Sequence, residues 1–223
     1  MTQDEKQLRH ILERNKAELS EVTGNLVSVA HGHNVRTLYV TSAHPEEGKT
    51  TVAAGLAYGL SMAARREVAL VEATLSMPQL HRFAEVDETE VGFFDYLLGD
   101  ASLDEITHSM GPRFPVLIPA GTSGANEKWI DAFEEAPFRE KLEELQDRFL
   151  YAVFDGDAVL ASTGSAVYSH LFDGVILTVE CGSTKWQVAG LARDKLIGYG
   201  ANVLGVALNK RRYPIPDFIY SRV

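Results

Sequence analysis

Six apolar runs punctuate the chain, and between them the spacing of apolar residues changes. The runs are "TLYVTSA" (37–43), "VALVEA" (68–73), "VLIPAG" (116–121), "YAVFDG" (151–156), "GVILTVE" (174–180) and "LGVALNK" (204–210). Each is rich in Val, Leu and Ile with little polar alternation, as strands covered on both faces should be. Helical patterns lie between them. Residues 49–64 open on a Gly-Lys-Thr turn, and residues 102–109 begin with Ser102 and Glu105 at capping-box spacing. Residues 127–147 follow an Asn126 cap, and 184–200 follow Ser183. This alternation predicts an α/β fold: a mostly parallel sheet, flanked by helices on both faces and joined by right-handed crossovers. Earlier in the chain, residues 3–26 place Leu8, Leu12, Leu19, Val22 and Leu26 near one helical face. Such a helix packs on the sheet's own flank or, joined through a flexible "VAHGHN" piece, docks on a neighbouring subunit. Residues 1–34 are therefore read as a helical segment of the same domain as the α/β unit, 35–223.

Composition narrows the setting. A chain of 223 residues, 45% apolar and 23% charged, suits one soluble globular core. No apolar run approaches the roughly 20 residues that span a bilayer, and "MTQDEKQLRH" does not read as a signal peptide. With Cys181 as its single cysteine the chain can close no internal disulfide, which fits a cytoplasmic location. The formal charge of −10 argues against nucleic acid as a partner, leaving only the short basic stretch "NKRRY".

Chemistry concentrates after the first strand. "TSAHPEEGKTT" (41–51) carries the second half of a phosphate-binding loop in Gly48, Lys49 and Thr50, with Ala43 where the first glycine usually stands. A strand, this loop and a helix in that order present free N–H groups and a favourable dipole to phosphate. Lys49 can reach the β- and γ-phosphates, and the Thr50 hydroxyl can ligate Mg²⁺. Glu46 and Glu47 would repel a polyphosphate unless their carboxylates point away and only their N–H groups face it. The expected nucleotide contacts are Glu47, Gly48, Lys49, Thr50 and Thr51, with ATP or ADP and Mg²⁺ as cofactors.

Over nearly its whole length the chain resembles the bacterial tyrosine kinases of capsule and exopolysaccharide export, relatives of the partition and septum-site P-loop ATPases. The resemblance rests on "VTSAHPEEGKTTVAAGLAYGL", "VGFFDYLLGDASLDEI", "LIPAGTSGAN", "FLYAVFDGD", "FDGVILTVECGST" and "GANVLGVALNK", in that order. It implies a P-loop α/β fold, autophosphorylation of C-terminal tyrosines, and activation by an integral-membrane polysaccharide co-polymerase that would recruit the protein to the inner face of the membrane. It also implies that Asp155 holds the metal through water and that Asn209 sits where the adenine ring is often read, although Asn209 can equally be a strand terminator.

The departures from the family pattern matter as much. Its D-x-D-x-R motif here reads "EATLS", with Glu72, Thr74 and Ser76 at the three positions. Glu72 keeps a charge for metal or catalysis, one methylene further out. Thr74 is no base at neutral pH, whereas accepting a proton from tyrosine calls for one. Asp157 is either a substitute carboxylate or a surface residue without a role. Ser20 and Thr23 stand where the family's ring-forming arginines align, so self-association is expected to stop at a dimer. Of the tyrosine cluster, only Tyr213 and Tyr220 remain as acceptor candidates. The alternatives are a non-catalytic, nucleotide-sensing regulatory subunit and a partition-type ATPase. His31 and His33 read as a solvated pair, His44 as exposed, Cys181 as structural, and Trp129 and Trp186 as packing or interface residues.

Overall fold

The computed structural model describes residues 3–64, 66–83, 86, 90–122 and 135–211. Asn126, Trp129, Tyr213 and Tyr220 lie outside the described residues, as do the side chains of Leu8, His31 and His33. Seven strands form one sheet: β1 (Thr37–Ser42), β2 (Val68–Glu72), β3 (His108–Ser109), β4 (Val116–Ile118), β5 (Tyr151–Asp155), β6 (Gly174–Glu180) and β7 (Val203–Asn209). Their order is β3-β4-β2-β5-β1-β6-β7, parallel throughout except for β3 against β4. All six apolar runs become strands. Those that become β1, β2, β4, β5 and β6 are buried on both faces, which is why they lack polar alternation, whereas the run that becomes β7 lies at the sheet edge and is half-exposed.

Alternate residues of each strand feed two cores. Leu38, Val40, Leu70 and Val153 face one of them, while Tyr39, Ala69, Val71 and Phe154 face the other. The second core is aromatic: Phe93, Phe138, Phe154 and Phe172 pack together, and Tyr39 stacks on Phe172 with ring centroids 4.7 Å apart. After β1 the chain turns towards β2, and after β5 it turns towards β6. The order therefore reverses between β5 and β1, where such sheets leave a crevice at their carboxyl ends.

Helix α3 (Lys49–Ala63) leaves the phosphate loop and packs against β1, β2 and β5. The N-terminal stretch is two helices, α1 (Gln3–Arg14) and α2 (Lys16–His33), and not one over residues 3–26. Helix α2 runs through the segment read as flexible. It lies directly on α3, where Gly55 and Gly59 leave room for Leu19 and Thr23: a Cβ at Gly59 would come within 2.1 Å of the Thr23 hydroxyl. Leu12 and Leu26 are buried and Val22 is exposed. The Arg9 guanidinium lies 4.0 Å from the centre of the Phe114 ring and donates to the Met110 carbonyl.

Several local expectations fail for identifiable reasons. Residues 102–109 form a turn followed by β3. Ser102 does bond to Glu105, but no apolar periodicity follows to extend a helix. Helix α4 (Phe93–Leu98) and helix α6 (Thr163–Tyr168) are too short to show a period. Helix α5 (Glu135–Arg148) covers the later part of 127–147. Helix α7 (Trp186–Gly198) is entered through Lys185, which makes no side-chain cap, and not through Ser183. Trp186 is 80% exposed and Cys181 is exposed, so neither packs into this chain.

Candidate functional site

The phosphate loop joins β1 to α3 at the reversal point of the sheet. Gly48 sits in the left-handed region at φ 86° and so turns the chain into the helix. Glu46 is left-handed as well (φ 66°), whereas Ala43, buried in the position of the missing glycine, is not. The two glutamates separate. Glu46 is exposed, and Glu47 is buried to 3% exposure. The Glu47 carboxylate turns inwards, where it accepts from the backbone N–H of His44 at 2.8 Å and from the hydroxyl of Thr184 beyond β6. Thr184 gave no signal in the sequence, because only the fold brings it to the loop. His44 is exposed.

Asp155 ends β5 beside this loop. It is 1% exposed, and neither carboxylate oxygen has a hydrogen-bond partner. Burial pushes its pKa up to about 7. The Lys49 charge and the nearby Thr50 hydroxyl pull it down, while Glu72 and Asp157 push it further up. Thr50 faces the carboxylate without closing a geometrically sound hydrogen bond, so it is the desolvated oxygens that dominate. An unpaired buried carboxylate next to a lysine and a threonine suits a cation with an incomplete protein shell. Mg²⁺ takes one or two protein ligands in this way and fills its remaining positions with water and phosphate oxygens. No cluster of three or more acidic, His or Cys side chains able to hold a metal occurs among the described residues.

The second acidic region is built differently. Glu72 is fully buried and pairs in register with Asp155 across β2 and β5. One of its oxygens accepts from the backbone N–H groups of Gln79 and Leu80, the latter at 2.6 Å, and the other from that of Ala120 at 3.1 Å. Asp157 is 5% exposed and so is no surface residue. It accepts from the hydroxyls of Thr74 and Ser76 and from the N–H groups of Leu75 (3.0 Å) and Ser76 (3.3 Å). Thr74 and Ser76, which stand in place of an aspartate and an arginine, thus act as donors to a carboxylate supplied by the opposite loop.

Two further stretches close this side of the site. Phe93 and Phe94 donate their N–H groups to the carbonyls of Pro119 and Ala120, bringing Gly92 against Gly121. A Cβ on either glycine would fall within 2.4 Å of the other's backbone nitrogen. Asp95 locks the junction by accepting from the N–H of Gly92 and from the N–H and hydroxyl of Thr122. Its signal in the sequence was a carboxylate three residues into α4. Asn209 ends β7 against the loop, and Thr51 lies in the first turn of α3. The structure thus sets Glu47, Gly48, Lys49, Thr50 and Thr51 along one loop and helix start, with Asp155 close to Lys49 and Thr50, Asn209 on the loop carbonyls, and Glu72 and Asp157 near Asp155.

No family model matches the chain. It is 23% identical over 204 residues to the tyrosine-protein kinase YwqD of Bacillus subtilis, spanning 89% of this chain and 82% of that one. It is 27% identical over 180 residues to the tyrosine-protein kinase CpsD of Streptococcus agalactiae, spanning 80% and 76%. It also shares 27% identity over 183 residues with ExoP of Rhizobium meliloti, a succinoglycan biosynthesis transport protein, spanning 80% of this chain and 23% of ExoP. Among solved structures, the kinase domain of VpsO superposes with a TM-score of 0.76 at 23% identity, over 90% of this chain and 98% of that one. The septum site-determining protein MinD of Pyrococcus horikoshii, complexed with Mg-ADP, gives 0.59 at 21% identity over 84% and 76%. The structural likeness shows the P-loop α/β fold, and the named relatives bear out the resemblance read from the sequence: across four fifths or more of its length the chain is similar to the bacterial tyrosine-protein kinases.

Proposed function

We propose that the chain binds Mg-ATP and Mg-ADP at the phosphate loop, as a tyrosine-autokinase-like protein of exopolysaccharide biosynthesis with weakened acceptor chemistry. The observation that carries this reading is Asp155: a buried carboxylate with both oxygens unpaired, facing Lys49 and Thr50 at the start of α3. Thr50 and Asp155 would hold the metal, Lys49 the terminal phosphates, and the N–H groups of residues 47 to 51 the remaining oxygens. Bound Mg²⁺ would neutralise charge on the transferring phosphoryl group. Glu72, held by three backbone N–H groups, takes no part in this reading.

Where the family pattern places its base, this chain has Thr74. Thr74 is a donor, and the nearby Asp157 carboxylate accepts three protein donors at Oδ1 and one at Oδ2. General-base assistance is typically worth about 10²–10⁴ in rate, so transfer to Tyr213 or Tyr220 is expected to be feeble. The same replacement favours a second reading, a nucleotide-sensing subunit that docks on an integral-membrane polysaccharide co-polymerase at the inner face of the membrane. Thr23, buried against α3, is not available for contacts between subunits, which supports a monomer or dimer over a ring. The test combines fluorescent Mg-ADP titration with incorporation from radiolabelled ATP, using a Tyr213/Tyr220→Phe control. Tight binding with little label supports the proposal. Vigorous labelling that disappears in the control would overturn the weakened-kinase reading, and turnover without phosphotyrosine would favour a partition-type ATPase.

A further inference from the structure

The carbonyls of the phosphate loop are held from behind. The Asn209 side-chain nitrogen lies 2.9 Å from the Glu47 carbonyl oxygen and 3.4 Å from that of Gly48. Lys210 donates to the Glu46 carbonyl and pairs with Glu180 at 3.0 Å. The contact is close: a Cβ on Gly48 would come within 2.1 Å of the Asn209 nitrogen. Carbonyls only accept, so the amide must present its N–H groups to them. In a trans peptide the C=O and the following N–H point in opposite directions. Fixing the carbonyls of residues 46, 47 and 48 therefore aims the N–H groups of residues 47, 48 and 49 away from β7, towards the helix entrance where phosphate would sit.

We infer that Asn209, assisted by Lys210, is a positioning residue for the phosphate loop. Bidentate pairing of an asparagine with adenine uses the amide N–H as well as its oxygen; here the N–H groups serve the loop, and only the oxygen is left to meet a ligand. The inference rests on the loop binding phosphate, and it predicts support for any polyphosphate ligand, whatever base it carries.

Asn209→Asp keeps the shape, removes the donor and faces a carboxylate towards two carbonyls. Calorimetric titration with Mg-ATP, Mg-GTP and Mg-tripolyphosphate should show affinity falling by a common factor, about tenfold or more, as expected for an unmade bond with an unpaired partner. Without ligand, amide hydrogen exchange of residues 43–50 should accelerate in the variant, while exchange in β1 and β5 stays as in the parent. Lys210→Met, at an exposed strand end, should move both readouts in the same direction but less, and it decides the matter if Asn209→Asp does not fold. A loss confined to Mg-ATP, or unchanged loop exchange with unchanged affinity, overturns the inference. A parent chain that binds none of the three ligands overturns the nucleotide reading instead, and loop exchange still decides whether Asn209 holds the loop.

Discussion

Asp155, the last residue of β5, and Asp157, two residues on, are both buried, and their surroundings are opposite. Asp155 has no hydrogen-bond partner at either oxygen, whereas Asp157 collects four donors from residues 74 to 76. A buried carboxylate without partners is costly unless something external completes it. One that accepts four donors, three of them at one oxygen, has become part of the frame. Under the proposed reading the phosphate side of the crevice is open to a ligand, while the acceptor side is braced by the protein itself.

The largest expected effect strikes the phosphate side. Lys49→Met should weaken Mg-nucleotide binding by at least about 100-fold, in keeping with the several kcal/mol of a charge-assisted phosphate contact in a partly buried site. Asp155→Asn should abolish the dependence of binding on Mg²⁺ while leaving the fold intact. Fluorescent nucleotide titration with and without Mg²⁺ reads both, and parent-like affinity in Lys49→Met would remove this site from consideration.

Asp157→Ala should do the reverse. It leaves two hydroxyls and two N–H groups without their acceptor, a loss of roughly 2–4 kcal/mol in unfolding free energy by urea titration. If Asp155→Asn proves the more destabilising of the pair, the contrast between the two carboxylates is wrong.

A smaller effect sharpens the acceptor side. Thr74→Asp sets a second carboxylate against Asp157 in place of a donor, so it should cost roughly 1–3 kcal/mol and raise no phosphotyrosine. The exchange Thr74→Asp with Asp157→Thr restores one donor and one acceptor and should recover most of that stability. Restoration of labelling by Thr74→Asp alone would show that the loop is free to rearrange.

The smallest effect is a pH dependence. The Asp155 pKa is raised from 3.8 in the unfolded chain to about 7 in the fold by burial. Its favourable linkage is therefore complete below about pH 4 and is lost as pH rises through about 7. The stability of the parent relative to Asp155→Asn should fall by about 1 kcal/mol between pH 6 and pH 8, measured by urea midpoints. Mg²⁺ favours the ionised form, so its binding with nucleotide should release protons near pH 6.5 and weaken on acidification. Calorimetry in two buffers of different ionisation enthalpy measures that release.

What the sequence determined is local or repetitive. A strand buried on both faces is apolar at most positions, so five of the six runs were legible for that reason. The sixth, half-exposed β7, was legible from its Val and Leu content, and with all six came the parallel sheet. A phosphate loop needs Gly48, Lys49 and Thr50 adjacent in the chain, so its place was legible despite Ala43. The motifs "VGFFDYLLGD" and "LIPAGTSG" were visible as words, but that Gly92 and Gly121 press together around Asp95 was not. Tertiary structure decided which carboxylates are free. The donors on Glu72 come from Gln79, Leu80 and Ala120, those on Asp157 from residues 74 to 76, and the partner of Glu47 from Thr184. Whether an acidic group is a ligand or a brace depends on how many donors reach its lone pairs, and these donors meet it only when strands distant in sequence align their carboxyl ends. Burial of Thr23 in the same way required α2 to lie across Gly59, a contact between helices that no spacing within either one encodes.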